Sequence, residues 1–254
     1  MSIIIKTKEE IEILREGGKR LASVLRKVKD AVRPGVSTKE LDEIAFSEIK
    51  ALGDEPAFLN YQPYGASYPY PASLCVSVNE EIVHGIPGDR VLKEGDIVSI
   101  DLGLKHKGYF TDHAVTVPVG KISKQDQELL AVTEEALNIG IEAIKAGGNI
   151  GDIGYAIEQY VKEFGFGIVR GLSGHGVGVH IHEDPYVPNY GKMGQGEKLV
   201  PGMVIAIEPM ITLGNPAMKT LKDGYTIVSK DGSRAAHFEH TVAITEEGAE
   251  ILTK

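Results

Sequence analysis

Two stretches of the chain resemble each other, and this internal repeat limits the possible folds more than any other feature. VRPGVSTKELDEIAFSEIKALG (32–53) aligns with IKAGGNIGDIGYAIEQYVKEFG (144–165). Each stretch has a glycine turn, a polar residue suited to cap a helix, apolar positions at helical spacing and a final glycine. The preceding segments, about 8–30 and 124–146, also correspond as predicted helices. The identity is weak, so chance similarity is the alternative explanation.

The repeat extends to acidic residues in strand-like runs. EGDIVSIDLG aligns with PGMVIAIEPM, which matches Asp101 with Glu208, and TDHAVTV aligns with FEHTVAI, which matches Asp112 with Glu239. Two halves packed about a pseudo-twofold axis would bring two acids from each half to one place. We therefore predict one α+β domain over 1–254, with helices outside a curved, mostly antiparallel sheet. Its pseudo-repeats are expected at about 8–120 and 124–245.

Five side chains that could ligate metal lie in separate apolar runs. Burying carboxylates together is costly unless positive charge lies among them. Four carboxylates and two divalent cations nearly balance in charge. Oxygen ligands with one imidazole suit ions such as Mn, Fe, Co or Zn. The sequence therefore predicts a dinuclear metal site formed by Asp101, Asp112, His175, Glu208 and Glu239.

Composition excludes several other classes of protein. The formal net charge of −9 argues against nucleic acid as the main ligand, because phosphate binding needs a basic surface. The single cysteine, Cys75, excludes an intrachain disulfide. No apolar run approaches the roughly 20 residues of a membrane span. The first residues lack the layout of a secretory signal, so a cytoplasmic location without membrane contact is expected by default.

SGHGVGVHIHEDP (173–185) is the most unusual segment, because three histidines stand among glycines. The glycines would let backbone approach a ligand beside His175. If the segment is a strand, His180 and His182 share one face. The residues after His182 are predicted as a turn, which would place this histidine at a strand end near a cleft. A buried structural histidine, or one facing solvent, is the alternative for each.

Three further histidines carry weaker signals. His84 lies before a glycine and proline in VNEEIVHGIPGD, where a surface loop histidine is the alternative. His113 and His240 follow Asp112 and Glu239 directly. Neighbours on a strand point to opposite faces, so these two histidines point away from the acids. We interpret both as structural.

Several segments together resemble those of type I methionine aminopeptidases, in the M24 metallopeptidase family. They are VHGIP, IDLG, TDHAVT, GHGVG, HEDP, IEP and FEHTVAIT, and the resemblance extends from about Thr7 to Thr245. It implies the pita-bread fold, with two pseudo-symmetric halves, and a hydrolase that removes the N-terminal methionine of nascent polypeptides when the second residue is small. His175 and Glu208 lie too close in sequence for the inserted subdomain associated with type II.

The resemblance implies a role for each ligand. Asp112 and Glu239 would bridge two divalent ions, Asp101 would hold one ion, and His175 with Glu208 would hold the other. A water or hydroxide bridging the ions would attack the scissile bond, its pKa lowered towards about 7. Glu208 would also shuttle the proton.

The resemblance also implies the residues that contact substrate. His84 would lie near the leaving amide, and His182 would polarise the scissile carbonyl and hold the oxyanion. The methionine pocket would be formed by Phe58, Tyr70, Cys75, Ile181 and Tyr225, with Tyr61 as a further candidate. Tyr225 stands where many members have tryptophan, and Ile181 where an aromatic residue is common. The segment 60–69 is longer than in the bacterial pattern, so the register there stays open.

Two other functions stay open on sequence alone. Aminopeptidase P and prolidase share the fold and ligands, but they normally carry an additional N-terminal domain, for which this chain has only about 30 residues. A non-catalytic relative would bind proteins or RNA, but such relatives have lost ligands that are all present here. We expect a monomer. The native metal and docking on the ribosome are left open.

Overall fold

Four helices lie in two consecutive pairs, as the repeat predicts. They are α1 (Lys8–Ala31), α2 (Thr38–Ala51), α3 (Lys124–Glu142) and α4 (Ile150–Lys162) in the computed structural model, which describes residues 2–254. Within each pair the two helices pack against each other. Within the described residues, no helix has both the length and the apolar character needed to cross a membrane.

Local side-chain contacts explain where the first two helices begin. Thr7 Oγ1 accepts a hydrogen bond from the Glu10 backbone N at 3.2 Å, and Glu10 Oε2 accepts one from the Thr7 backbone N at 2.7 Å. Ser37 and Glu40 form the same reciprocal capping box at α2. Gly53, directly after the cap of α2, has φ 78°, a conformation that glycine adopts without a steric penalty.

Fifteen strands in the described chain form antiparallel pairs throughout. In chain order they are β1 (Glu55–Pro56), β2 (Cys75–Val78), β3 (Glu81–Val83), β4 (Ile97–His106), β5 (Tyr109–Pro118), β6 (Gly167–Ile168), β7 (Gly174–Gly176), β8 (Glu183–Val187), β9 (Val204–Ile207), β10 (Met210–Thr212), β11 (Met218–Thr220), β12 (Ile227–Ser229), β13 (Ala235–His237), β14 (Glu239–Thr245) and β15 (Gly248–Ile251).

The largest sheet has nine strands and carries residues from both halves. Its order is β1-β4-β5-β14-β9-β7-β8, with β2 also on β4 and β15 also on β14. Two three-stranded sheets, β13-β10-β6 and β11-β12-β3, complete the β structure of the described residues. One apolar core includes residues of α1, α2 and β4, and a second includes residues of α3, α4 and β9. The predicted α+β architecture with a mostly antiparallel sheet is confirmed.

The two halves meet where β5 pairs with β14. His113 lies opposite His240 in the register, and their rings stack with centroids 4.5 Å apart. These two residues are equivalents in the alignment of TDHAVTV with FEHTVAI, so the local pseudo-twofold axis passes through their pair. Asp112 and Glu239, one residue before each histidine, therefore project from the opposite face of the sheet.

The segment that follows GHG differs from its prediction. Residues 178–182 form an irregular bend rather than a strand, and the predicted turn after His182 is instead β8. Glu183 is tolerated in a buried strand because its carboxylate pairs with Lys6 Nζ at 2.5 Å. Its other oxygen accepts a hydrogen bond from the His180 backbone N at 2.8 Å. The sequence pattern missed this strand because the compensating charge comes from before α1.

Candidate metal centre and substrate pocket

One cavity, of about 640 Å³ including its open mouth, joins acidic residues to an apolar pocket. All five predicted metal ligands line it, together with both histidines predicted to contact substrate. The residues lining it are Phe58, Tyr61, Pro63, Tyr70, Cys75, His84, Asp101, Asp112, His175, His182, Glu208, Tyr225 and Glu239.

Strand register explains why the acids meet. Asp101 on β4 lies opposite Ala114 on β5, and Glu239 on β14 lies opposite the same residue from the other side. Asp112 is two positions from Ala114 along β5, so its side chain shares a face with these acids. Glu208 follows β9 directly, and His175 lies in the adjacent β7. Each half therefore contributes two carboxylates, as the repeat predicts.

Three of the five predicted ligands lie close enough together to hold a divalent cation. One ligand atom each of Asp112, His175 and Glu239 lie within 4.8 Å of one another, and all three residues are buried. Asp101 Oδ1 and Glu239 Oε1 are buried without a hydrogen-bond partner in the described structure. A buried carboxylate oxygen without a donor is costly, and a cation would satisfy it. Two carboxylates and an imidazole this close together provide the ligand chemistry that a divalent cation requires.

The buried acids also repel one another, so positive charge would stabilise the cluster. Burial, followed by repulsion from Asp112 and Glu208, raises the pKa of Asp101 well above its usual range. Burial and the same two neighbours raise the pKa of Glu239 in the same way. Burial raises the pKa of Asp112 to about 6, although nearby His175 opposes the shift. The carboxylates therefore hold protons readily in the absence of metal.

The backbone orients His175 towards the acids. Its Nδ1 donates a hydrogen bond to the Gly176 carbonyl at 2.8 Å, since a carbonyl oxygen can only accept. Nε2 then faces the cluster, 3.7 Å from Glu208 Oε1. This arrangement, with one ring nitrogen held by a backbone carbonyl and the other free to ligate, is usual for metal-binding histidines.

His237, on β13, contacts Glu208 and was missed by the sequence analysis. Its ring is buried, and Nε2 lies 3.2 Å from Glu208 Oε2. The available signal was its position two residues before Glu239, which places both side chains on one face of an extended segment. Asn189 was also missed; its Nδ2 donates to the Glu208 carbonyl at 2.9 Å.

His84 has a backbone conformation that is unusual for its residue type. It follows β3 with φ 60°, in the left-handed region that non-glycine residues seldom adopt. Gly85 is held next to it, because its N–H donates to Ser77 Oγ and its carbonyl accepts from Tyr70 Oη. Burial is the main cause that lowers the pKa of His84, which keeps the ring neutral near pH 7.

The residues predicted to bind methionine lie in one apolar cluster, but they do not all line the cavity. Phe58, Tyr70, Cys75 and Tyr225 are buried and line its apolar end. The rings of Tyr70 and Tyr225 meet edge to face at 5.2 Å. Ile181 is buried in the same cluster and lines a neighbouring groove, and its role in binding methionine stays a prediction.

The glycines beside His175 lie against the backbone of neighbouring strands. An added Cβ on Gly174 would overlap the Ala206 carbonyl oxygen, and one on Gly176 would overlap that of Asp184. Both glycines therefore allow neighbouring backbone to approach β7 closely, and the approach of a ligand beside His175 stays a prediction.

The chain resembles known proteins in sequence and in fold over its whole length. The pattern of metallopeptidase family M24 matches residues 12–246. Methionine aminopeptidase 1 of Bacillus subtilis is 51% identical over 252 residues, which covers 99% of both chains. A methionine aminopeptidase structure from Rickettsia prowazekii superposes with a TM-score of 0.96 at 38% identity and full coverage of both chains. A prolidase from Pyrococcus furiosus gives 0.77 at 28% identity, and the match covers 99% of this chain but 65% of the prolidase.

Proposed function

The chain belongs to metallopeptidase family M24 and, within it, to the methionine aminopeptidases, and on that premise we propose that it removes the N-terminal methionine from nascent polypeptides whose second residue is small. The resemblance predicted from short motifs is thereby confirmed at the level of the family. We further propose that residues 1–254 act as a single catalytic domain and as a monomer.

The observation that carries this function is that one cavity is lined both by acidic and by apolar side chains. The acids and His175 line it together with Tyr70, Cys75 and Tyr225, which belong to one apolar cluster and provide a slot beside the acids. The unbranched methionine side chain suits such a slot, because its thioether packs well against aromatic ring edges. A terminal residue with its side chain in the slot would have its amino group and first peptide bond beside the acids.

We propose two divalent cations at the acidic end, of the Co, Mn, Fe or Zn type. Asp112 and Glu239, next to the axis between the halves, would be shared by both ions. Asp101 would complete one ion, and His175 with Glu208 the other. When bound, the ions would acidify a water molecule and polarise the scissile carbonyl.

The remaining roles follow from the chemistry of the side chains. Glu208 would accept a proton from the attacking water and pass it on. Neutral His84 would hydrogen-bond near the leaving amide, and His182 at the mouth would donate to the developing oxyanion. The free α-amine would lie beside Asp101 and Asp112, which favours a terminal residue over a peptide bond inside a chain.

Release of methionine from Met-Ala-Ser, measured with and without chelator, tests the function. We expect activity that is lost with the chelator and restored by Mn²⁺, Fe²⁺ or Co²⁺. An Xaa-Pro peptide serves as the comparison substrate. Cleavage of Xaa-Pro without release of methionine, or full activity after verified metal removal, would overturn the proposal.

Specificity for a small second residue is tested with a Met-Xaa-Ser series from Gly to Phe. Tyr61 and His182 contact each other at the mouth of the cavity and narrow the space beyond the acids. We expect kcat/KM to fall with side-chain size, by about 10²-fold from Ala to Phe, the discrimination typical of steric exclusion. Equal rates for the Ala and Phe peptides would refute a narrow mouth.

A further inference from the structure

Tyr61 and His182 form a hydrogen bond to which the roles proposed above assign no chemical function. Tyr61 Oη lies 2.9 Å from His182 Nδ1, and the ring centroids are 5.2 Å apart. Neither ring makes another side-chain hydrogen bond within residues 2–254. The contact joins the segment 60–69 to the bend before β8, across the mouth of the cavity.

The surroundings of the Tyr61 hydroxyl favour one direction for this hydrogen bond. The hydroxyl keeps its proton near neutral pH, since burial raises the pKa of Tyr61. Within the described residues, His182 Nδ1 is the acceptor placed to receive that proton. An imidazole nitrogen that accepts a hydrogen bond carries no proton. In the neutral ring, the other nitrogen must then carry it. With Nδ1 occupied by Tyr61, the ring nitrogen left for the cavity is Nε2.

We propose that Tyr61 is a positioning residue that holds His182 in the tautomer protonated on Nε2, so that this N–H is presented to the cavity as a donor. The tautomer itself is independent of the proposed function. Only the assignment of the substrate carbonyl as the acceptor rests on that function. A donor held in place before the reaction stabilises negative charge better than one that must first reorient.

The backbone around Tyr61 is held firmly enough for this purpose. The Asn60 N–H donates to the Tyr70 carbonyl at 2.9 Å, and the Tyr70 N–H donates to the Tyr61 carbonyl at 2.8 Å. The far side of the segment is also anchored, because Tyr68 Oη donates to the Asp223 carbonyl at 2.5 Å. The backbone hydrogen bonds of Asn60 and Tyr70 link the two ends of the segment 60–69 next to Tyr61.

Tyr61→Phe is the informative substitution, because it removes the hydroxyl and keeps the ring that packs on His182. Tyr64→Phe is a matched control: Tyr64 lies in the same segment, its side chain is fully exposed, and it makes no hydrogen bond within the described residues. The first measurement is ¹⁵N NMR of the Zn²⁺-loaded full chain labelled at histidine, with the His182 signals assigned from His182→Gln.

The NMR result decides the tautomer. We expect wild-type His182 to show a protonated Nε2 and an unprotonated, hydrogen-bonded Nδ1. Tyr61→Phe should lose the hydrogen-bonded signature of Nδ1, and Tyr64→Phe should retain it. A proton on Nδ1 in the wild type, or an unchanged spectrum in Tyr61→Phe, would overturn the proposal whether or not the protein releases methionine.

Kinetics on Met-Ala-Ser decide whether the orientation matters for turnover. We expect Tyr61→Phe to lower kcat by about 10- to 100-fold with KM nearly unchanged, since the lost interaction belongs to the transition state. Tyr64→Phe should behave as wild type.

In a His182→Gln background, Tyr61→Phe should have no further effect, because it acts through His182. If Tyr61→Phe lowered kcat as much in the His182→Gln background as in the wild type, the positioning role would be contradicted. A change in KM alone would contradict it as well. Absence of methionine release by the wild type would instead refute the proposed function.

Discussion

Among single residues, the two acids nearest the axis between the halves have the largest consequences. Asp112 and Glu239 are both buried, and burial raises the pKa of each. Glu239 pairs with Ala114 between β14 and β5, and the Asp112 N–H donates to Thr241 Oγ1 at 2.8 Å. The protein therefore maintains an unfavourable cluster of carboxylates that a cation relieves.

Replacing either central acid by its neutral isostere should abolish tight metal binding. For Asp112→Asn and Glu239→Gln, we expect metal affinity to fall by at least about 100-fold, more than the loss typical of residues that only support a ligand. His84→Ala should retain metal and lose about 10²- to 10⁴-fold in turnover, if its ring takes part in proton or hydrogen-bond chemistry. Metal content after dialysis, measured beside kcat, separates the two classes.

His180→Ala is the control for these variants. His180 is an exposed histidine in the same segment as His182, and it lines the neighbouring groove rather than the cavity. Both metal content and kcat should match the wild type. A metal-free His84→Ala protein would contradict the division into ligands and substrate contacts.

Among secondary-structure elements, β8 depends on the segment before α1. The side chains of Lys6 and Glu183 are 1% and 2% exposed, and Lys6 Nζ also donates to the Ile4 carbonyl. Burial is the main cause that lowers the pKa of Lys6, although Glu183 opposes the shift. The pair holds the start of β8, and with it the bend that carries His182, against the N-terminal segment.

Removing one partner of this pair should destabilise the fold strongly. Lys6→Met leaves the Glu183 carboxylate buried without its cation, and we expect the free energy of unfolding to fall by about 3–5 kcal/mol. The double variant Lys6→Met/Glu183→Gln removes the uncompensated charge and should recover part of this loss. Urea unfolding of the metal-loaded protein measures both values.

Lys105→Met gives the matched control for a surface pair. Lys105 Nζ lies 3.6 Å from Glu55, whose side chain is largely exposed. Such pairs contribute about 0–1 kcal/mol, so the free energy of unfolding should change little. A loss in Lys6→Met as small as that in Lys105→Met would show that the buried pair does not hold β8.

For the molecule as a whole, a metal bound at this site would couple binding to stability. Four carboxylates from both halves line one cavity, so a cation bound among them would join the halves. The same ligands are scattered in the unfolded chain and have little affinity for metal there. Metal should therefore stabilise the folded state, by about 2.7 kcal/mol at a free concentration 100 times the dissociation constant.

The gain in melting temperature on adding metal should widen from about pH 6 to about pH 8. Burial raises the pKa of Asp101 and Glu239, and that of Asp112 to about 6, whereas acids in the unfolded chain titrate near 4. Between the pKa of each acid in the unfolded chain and its raised pKa in the folded protein, the folded metal-free protein binds more protons. Its free energy of unfolding therefore falls as pH rises. Metal binding tightens over the same range because fewer protons compete.

Calorimetry at a fixed free metal concentration measures the gap at each pH, defined as the melting temperature with metal minus that without metal. The variant Asp112→Asn, which lacks one of the titrating acids and a ligand, should show a smaller gap with a weaker dependence on pH. A constant or narrowing gap in the wild type would show that the four acids do not form one shared site.

Local chemistry explains what could be predicted from the sequence. Caps such as Thr7 and Ser37, apolar periodicity and the final glycines predicted the helix pairs, because a helix is formed by contacts between residues close in the chain. The repeat predicted two halves and the meeting of their acids, because equivalent segments fold alike. The four acids were recognisable as candidate ligands, since a carboxylate within an apolar run needs a partner.

Contacts between residues distant in the chain decided the rest. Lys6 lies far before Glu183 in sequence, so its pairing, and the strand it permits, left no mark on the local pattern. The contacts of Tyr61 with His182 and of His237 with Glu208 are likewise products of folding. The place of Ile181 depends on the irregular bend at 178–182, which the local pattern did not predict. Outside helices and strands, side-chain directions do not repeat at a regular spacing along the sequence. Only packing in three dimensions determines them.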